Sequence, residues 1–363
     1  MGIPAIVSTI ICGLPVFLRG CGMLTRRDWL KLSTSGLAGS ICGCGVTFSS
    51  SSPRSAPPIL SGIAAGFGGK GWGLWEGRSR IAGSNLNASG PILSITKTLA
   101  GLAVARAVSS GLLRLDERLA DTFPEWKNDA AKSRITPRML LQQTSGLEAG
   151  SSALYHRPLT DKGKVALSLR IVDAPGSQFR YGPSHWEVLA EFLQRKLGSE
   201  SLEHFISRNV MGPIGLHSHK WRADLRGRFF LSTGAELSVE DLGKLGRTLA
   251  KLLRCERSDG FDPGIYSDVT KASAANPIFG GGLWKNIRVG SGHAVEIEDA
   301  LDPPRSSSFW SGACLSKRHP ADLVALIGSS GQRVLIWPGK DQVFARLGRS
   351  TKWKDGPLLE SLA

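Results

Sequence analysis

Ser94-Ile95-Thr96-Lys97-Thr98-Leu99-Ala100-Gly101-Leu102-Ala103-Val104-Ala105-Arg106-Ala107-Val108 opens a stretch that runs to Leu113 with no charge other than Lys97 and Arg106. A helix that is apolar all round is a buried one, and Gly111 marks its end. Ser94 and Lys97, three residues apart at the amino end, share one face about one turn from each other, so their side chains can meet. A lysine held in a dry site beside helix amide dipoles has its ammonium disfavoured; it can become neutral and take the serine proton. The same amides favour an oxyanion. Ser-x-x-Lys alone is a common pattern, but a Lys inside an apolar helix is costly unless it is paired or functional. This is also the only Ser-x-x-Lys in the chain.

The flanking sequence is well punctuated. In Ile135 to Leu147, Thr136 is an N-cap, Pro137 takes the first helical position and Gly146 is the stop. A second, amphipathic helix begins near Ser184, with Val188, Leu189, Phe192 and Leu193 on a helical period and Gly198 as its end. Residues 59 to 83 are Gly-rich, with Trp72 and Trp75, and Ile59 to Ala65 reads as a strand between tight turns. Helices dominate the middle to about residue 256. Asp322 to Ile327, Gln332 to Trp337 and Gln342 to Leu347 then read as three short strands, divided by Gly328 to Gly331 and by Pro338-Gly339. Strands at hairpin spacing imply an antiparallel sheet.

The Ser-x-Thr-Lys tetrad, then Gly111-Leu112-Leu113-Arg114-Leu115-Asp116, then the stretch ending Thr144-Ser145-Gly146-Leu147, resembles the class C β-lactamase-related serine hydrolases, which include penicillin-binding proteins, D,D-peptidases, esterases and amide hydrolases. The resemblance covers most of residues 85 to 350. It implies an α/β fold of the α+β kind, β-lactamase/transpeptidase-like: an antiparallel sheet flanked by helices and built from both chain ends, plus a helical lobe. The implied boundaries are a sheet lobe at about 59–115 and 275–352, a helical lobe at about 116–274, and a tail at 353–363.

The resemblance also implies roles. Ser94 is the nucleophile and Lys97 its proton partner. The family's second element, Tyr-x-Asn, is altered: none of the three tyrosines is followed two residues later by Asn. Phe179-Arg180-Tyr181-Gly182-Pro183-Ser184 is the contextual match, so Tyr181 shares the proton transfer, Pro183 stands in the place of Asn, and Ser184 partly replaces it. Tyr266 is the alternative tyrosine. The third element, Lys-Thr-Gly in the family, falls on Ile327-Gly328-Ser329-Ser330-Gly331-Gln332-Arg333, with Gly328 the equivalent glycine, an oxyanion amide near Ser329, and no Lys or His before it. Arg333 is a candidate to hold a substrate carboxylate. Phe279 to Trp284 resembles the loop and strand that lead into the sheet. The implied activity is hydrolysis of a small-molecule or peptide ester or amide through an acyl-enzyme, weak on β-lactams, with no metal and no organic cofactor. The rival is a non-catalytic binding protein for cell-wall peptide on the same scaffold.

Composition narrows the classes further. With 41% apolar and 21% charged residues in 363, the chain can bury a large core. Of the net charge of +15, +11 lies beyond the first 58 residues and suits anionic partners, but the basic residues are scattered and no nucleic-acid-binding motif accompanies them. Thr25-Arg26-Arg27-Asp28-Trp29-Leu30-Lys31 resembles the twin-arginine export signal and is followed by a modestly apolar run and a loop-like linker to Pro58. Residues 1–58 therefore read as leader and linker, with Met23 as an alternative start, Cys42 or Cys44 as a minor lipid-anchor reading, an extracytoplasmic or periplasmic destination, and no membrane span in the mature chain. Cys255 and Cys314 remain; two cysteines make no disulfide framework, and free thiols and a single bridge stand side by side. His217-Ser218-His219 lacks the partners of a zinc site and reads as a loop.

Overall fold

The stretch from Ser94 is helical, as its composition requires: a 3₁₀ turn, Leu93–Ile95, feeds a helix over Thr96–Ser109 in which nearly every side chain is buried. Gly111, at φ 72°, ends it, with the Leu112 N–H donating back to the Ala107 carbonyl at 2.9 Å. The computed structural model describes residues 58–363 except Arg157, His219, Asp302 and Pro303. The expected leader, with Met23, Cys42 and Cys44, lies outside the described residues.

The strands are β1 Gly71–Glu76, β2 Ser79–Ser84, β3 Ser89–Pro91, β4 Glu236–Ser238, β5 Phe279–Gly280, β6 Leu283–Lys285, β7 His293–Ala294, β8 Ala313–Cys314, β9 Val324–Gly328, β10 Gln332–Trp337 and β11 Gln342–Leu347. Seven form one antiparallel sheet in the order β2-β1-β11-β10-β9-β6-β5. Strands from near both ends of the described residues thus meet in it. β9 and β10 are buried along their whole length, and β11 nearly so. Such strands need cover on both faces.

One cover is the helix Val239–Leu253, which lies across β1, β10 and β11. A Cβ on Gly246 would stand 2.4 Å from a Val343 methyl, so the close approach requires glycine there. This helix therefore belongs to the sheet lobe although the sequence boundary put it in the helical one. The other cover includes Pro58–Ala65, which is a helix and not the expected strand. Its carbonyl end is tied from afar: buried Arg346 of β11 donates to the Ala64 carbonyl at 2.8 Å and the Gly66 carbonyl at 2.6 Å. A cation on the last carbonyls of a helix stabilises it, and no local pattern announces that partner. Residues 353–363 are likewise no tail. Asp355–Ser361 is a helix packed against Pro58–Ala65, with Leu358 and Leu359 buried.

The buried Thr96–Ser109 helix is surrounded by Pro263–Val269, Ser184–Leu197, Leu202–Ile206 and the π-turn Ser207–Met211. The short β3–β4 ladder lies just ahead of Ser94. Cys255 is exposed and Cys314 buried, both as free thiols. No helix among the described residues is long and apolar enough to cross a membrane.

Candidate active site

Leu93, at φ 49°, turns the chain immediately before Ser94. That left-handed conformation costs a non-glycine residue roughly 1 kcal/mol or more and persists only where its surroundings over-determine it. Here the Ile92 N–H donates to the Ala235 carbonyl at 2.9 Å, the Ala235 N–H donates to Thr96 Oγ1 at 3.2 Å, and Ile92 and Ile95 are fully buried. Ser94 is left half-buried at the head of the helix, where free amides favour negative charge.

Lys97 Nζ donates to Ser94 Oγ at 2.9 Å and to the Ser232 carbonyl at 2.7 Å. The side chain is 2% exposed. Burial pulls its pKa from an ordinary 10.5 down to about 7, with the negative charge of Glu187 acting in the opposite sense. A neutral amine beside a serine hydroxyl is thus well populated near pH 7. The Phe279–Trp284 stretch closes on the same helix turn: Thr98 Oγ1 donates to the Gly282 carbonyl at 3.1 Å, and a Cβ on Gly282 would meet the Lys97 main chain at 2.7 Å.

Tyr181 covers Lys97 from the other side, its ring centroid 5.0 Å from Nζ. The ring packs among Phe179, Phe279 and Trp284. Burial pushes the phenol up to about 12, against the effect of a hydrogen bond with Ser94, so it stays protonated as a donor. The loop that carries it is clamped by side chains. Gln143 Oε1 accepts from the Gly182 N–H at 2.8 Å. Buried His185 bridges the Arg180 carbonyl, 2.8 Å from Nε2, and Ser145 Oγ, 2.9 Å from Nδ1. A carbonyl only accepts, so Nε2 carries the proton and Nδ1 accepts from the serine. Burial first, and then the Lys97 charge among other effects, hold this imidazole at about 4 and therefore neutral.

The β9–β10 hairpin forms the third side. Gly328 abuts the approach to Ser94, because a Cβ there would stand 2.4 Å from the Ile92 carbonyl oxygen. Arg333 Nη1 takes the Gly328 carbonyl at 2.7 Å. In a trans peptide the C=O and the following N–H point in opposite directions, so this contact also orients the Ser329 N–H. Ser329 itself is exposed.

The Beta-lactamase family matches residues 77–261, just over half of the chain. The chain belongs to the Beta-lactamase family. It is 25% identical over 130 residues to Protein flp of Staphylococcus aureus (strain COL), covering 34% of this chain and 26% of that protein. It is also 25% identical over 185 residues to lovastatin esterase of Penicillium rubens, covering 43% and 45%. The chain thus spans about a quarter of the length of the staphylococcal relative. A solved putative β-lactamase from Bacteroides dorei superposes with a TM-score of 0.61 at 17% identity, over 84% of this chain and 95% of that one. The β-lactamase/transpeptidase-like fold expected from the sequence is the fold observed.

Against the family's pattern, the structure brings together Ser94, Lys97 and Tyr181 and sets Gly328 against the approach to Ser94, but it departs from the expectation at three side chains. Ser184 does not take over from Asn: its Oγ is buried without a partner among the described residues, and the Ser232 carbonyl holds Lys97 instead. Arg333 is not open to a substrate carboxylate. It is 1% exposed and is engaged by Asp355 at 2.6 Å, Glu298 at 2.7 Å and the carbonyls of Gly328 and Gln332. Because both faces of β10 are covered, strand alternation does not bring this side chain to the cleft. Tyr266 is also excluded as the phenol beside Lys97, being buried with no hydrogen-bond partner among the described residues. His217 lies 3.9 Å from Asp241, and no metal-binding cluster occurs among the described residues, from which His219 is absent.

Sequence reasoning missed Ser232, Glu187, Gln143 and His185. Glu187 carried a usable signal, a charge between Trp186 and Val188-Leu189 on a buried helix face. Arg333→Met leaves Glu298, Asp355 and the Gly328 carbonyl without their cation; breaking such a buried pair costs about 3 to 5 kcal/mol. Urea denaturation of wild type and variant reads that loss as a lower midpoint.

Proposed function

We propose that the protein hydrolyses small esters or amides through an acyl-enzyme on Ser94. The observation that carries this reading is the 2.9 Å contact between Lys97 Nζ and Ser94 Oγ in a dry site that holds the lysine near pKa 7. Ser94 Oγ attacks the substrate carbonyl carbon while its proton passes to neutral Lys97, and the carbonyl oxygen becomes an oxyanion held by the N–H groups of Ser94 and Ser329. As the intermediate collapses, the Tyr181 hydroxyl protonates the departing alkoxide or amine and is reprotonated from Lys97. Water then attacks the acyl carbon, giving its proton to Lys97 and a hydroxyl to the acid; the returning proton restores Ser94.

The substrate preference follows from the third element. Penicillins and cephalosporins carry a carboxylate. Leu326 and Ile327, which precede Gly328, are buried apolar residues, and the Arg333 guanidinium is occupied. A charge-assisted hydrogen bond contributes roughly 1.5 to 3 kcal/mol, so its loss lowers kcat/KM by roughly ten- to a hundredfold or more. A neutral ester loses nothing. The test compares kcat/KM for a p-nitrophenyl ester and for nitrocefin: the ester is expected to be the better substrate by at least tenfold. A preference for nitrocefin would overturn the substrate assignment, and turnover of neither would favour the binding-protein reading.

A further inference from the structure

Pro183 removes the amide side chain that would hold the lysine in this family's pattern, yet Lys97 is not left loose. Its second acceptor is the Ser232 carbonyl, and that peptide is itself fixed with unusual thoroughness. The Ser232 N–H donates to Glu187 Oε1 at 2.9 Å and Ser232 Oγ donates to the same oxygen at 2.5 Å. The other carboxylate oxygen of Glu187 lies 2.8 Å from Lys162 Nζ, and the two side chains are 0% and 3% exposed. An ion pair at that depth contributes little net stability, because desolvation consumes most of the attraction between the charges. Its position, one residue removed from the reacting lysine, gives it another use.

We propose that Glu187 is a positioning residue for the reaction: by gripping Ser232 through two hydrogen bonds it fixes the carbonyl that holds Lys97, and its charge sets how readily Lys97 carries a proton. The inference rests on the proposed Ser94–Lys97 chemistry. Lys162, 2.8 Å from Glu187, is the counter-charge that limits its pull on Lys97.

The groups facing Lys97 leave few alternatives for a charge effect near neutral pH. On its own segment there is Ser94. From the 181 loop and the Ser184–Leu197 helix come Tyr181, held protonated, His185, held neutral, and Glu187. Through Ser232 it adjoins Tyr155, whose phenol is raised by burial and also stays protonated. Lys162, at the start of the Lys162–Ser168 helix, is the cation behind Glu187.

The two charges make opposite demands, and that separates positioning from mere support. Glu187→Gln removes the anion and leaves Lys162 behind it, so the pKa of Lys97 falls and the rising limb of the pH–rate profile moves to lower pH by roughly one unit, the low end of the effect of a nearby charge. Lys162→Met leaves the anion unopposed and moves the limb upward. Ser232→Ala cuts one of the two grips; it is expected to lower kcat severalfold with little change in KM. The experiment measures p-nitrophenyl ester turnover from pH 5 to 9 for the full-length protein and these variants. Alongside it, NMR of side-chain-labelled lysine, with Lys97→Met for assignment, reads the Lys97 titration directly. Opposite displacements for Glu187→Gln and Lys162→Met support the inference; coincident profiles, or displacement in one direction by both, overturn it. If Glu187→Gln fails to fold, the direction of the Lys162→Met shift decides, upward supporting and unchanged overturning. Absence of ester turnover with the NMR shifts present would sink the hydrolase reading and leave the Glu187–Lys97 coupling standing.

Discussion

Ser94→Ala is expected to reduce ester turnover by a factor on the order of 10⁴ or more, to the level that the remaining amides and binding contacts support. The size follows from the proposed chemistry: without Oγ there is no acyl-enzyme, and Lys97 has no proton to accept. Stability should barely change. Ser94 is half-buried, its side-chain partners Lys97 and Tyr181 belong to the reacting group, and the strained turn at Leu93 is held by Ile92, Ile95, Thr96 and Ala235 and not by the serine. Steady-state kinetics paired with a thermal melt checks both halves. A variant that keeps more than a tenth of the activity at an unchanged melting temperature would remove Ser94 from the mechanism.

Lys97→Met is expected to lose about 10² to 10⁴ in kcat, the range of a general base, while gaining stability. The folded protein holds this lysine at about 7 against an ordinary 10.5. Between those values the unfolded chain binds the proton that the folded one refuses, so wild-type stability rises with pH across that window. Below pH 7 the lysine is charged in both states and the full penalty of burying it applies. Above about 10.5 it is neutral in both and the penalty is gone. The methionine variant carries no such penalty, so its advantage should be largest at pH 7 and below, on the order of 2 to 5 kcal/mol, and should fade as pH approaches 10.5. Denaturation midpoints at pH 6, 8 and 10 read the trend. A gain that is independent of pH would mean that Lys97 titrates normally in the folded protein.

The parts of the architecture legible in the sequence were those whose signals are local. The Thr96–Ser109 helix declares itself by an unbroken apolar run and Gly111, Pro137–Leu141 by its Thr136 cap, and the β9–β10–β11 meander by its turn residues. Ser94 and Lys97 stood out because a charge inside an apolar helix demands a reason. Pro58–Ala65 was misread because its helix end is satisfied by Arg346, some 280 residues away. The Val239–Leu253 helix was placed in the wrong lobe because periodicity reveals an apolar face but not the surface that covers it. Arg333 was misjudged for a related reason: a strand covered on both faces gives no alternation from which to tell cleft from core. The Ser232 contact was beyond reach altogether, since a main-chain carbonyl has no side-chain signature.

Whether the Ser94 oxygen carries the acyl group is read by intact-mass and peptide mass spectrometry of the protein after reaction with a fluorophosphonate probe and after acid quenching during turnover of a slow ester. A single adduct is expected in each case, on the peptide containing Ser94. Turnover with no adduct on that peptide, or an adduct mapped to another residue such as Ser329, would contradict it.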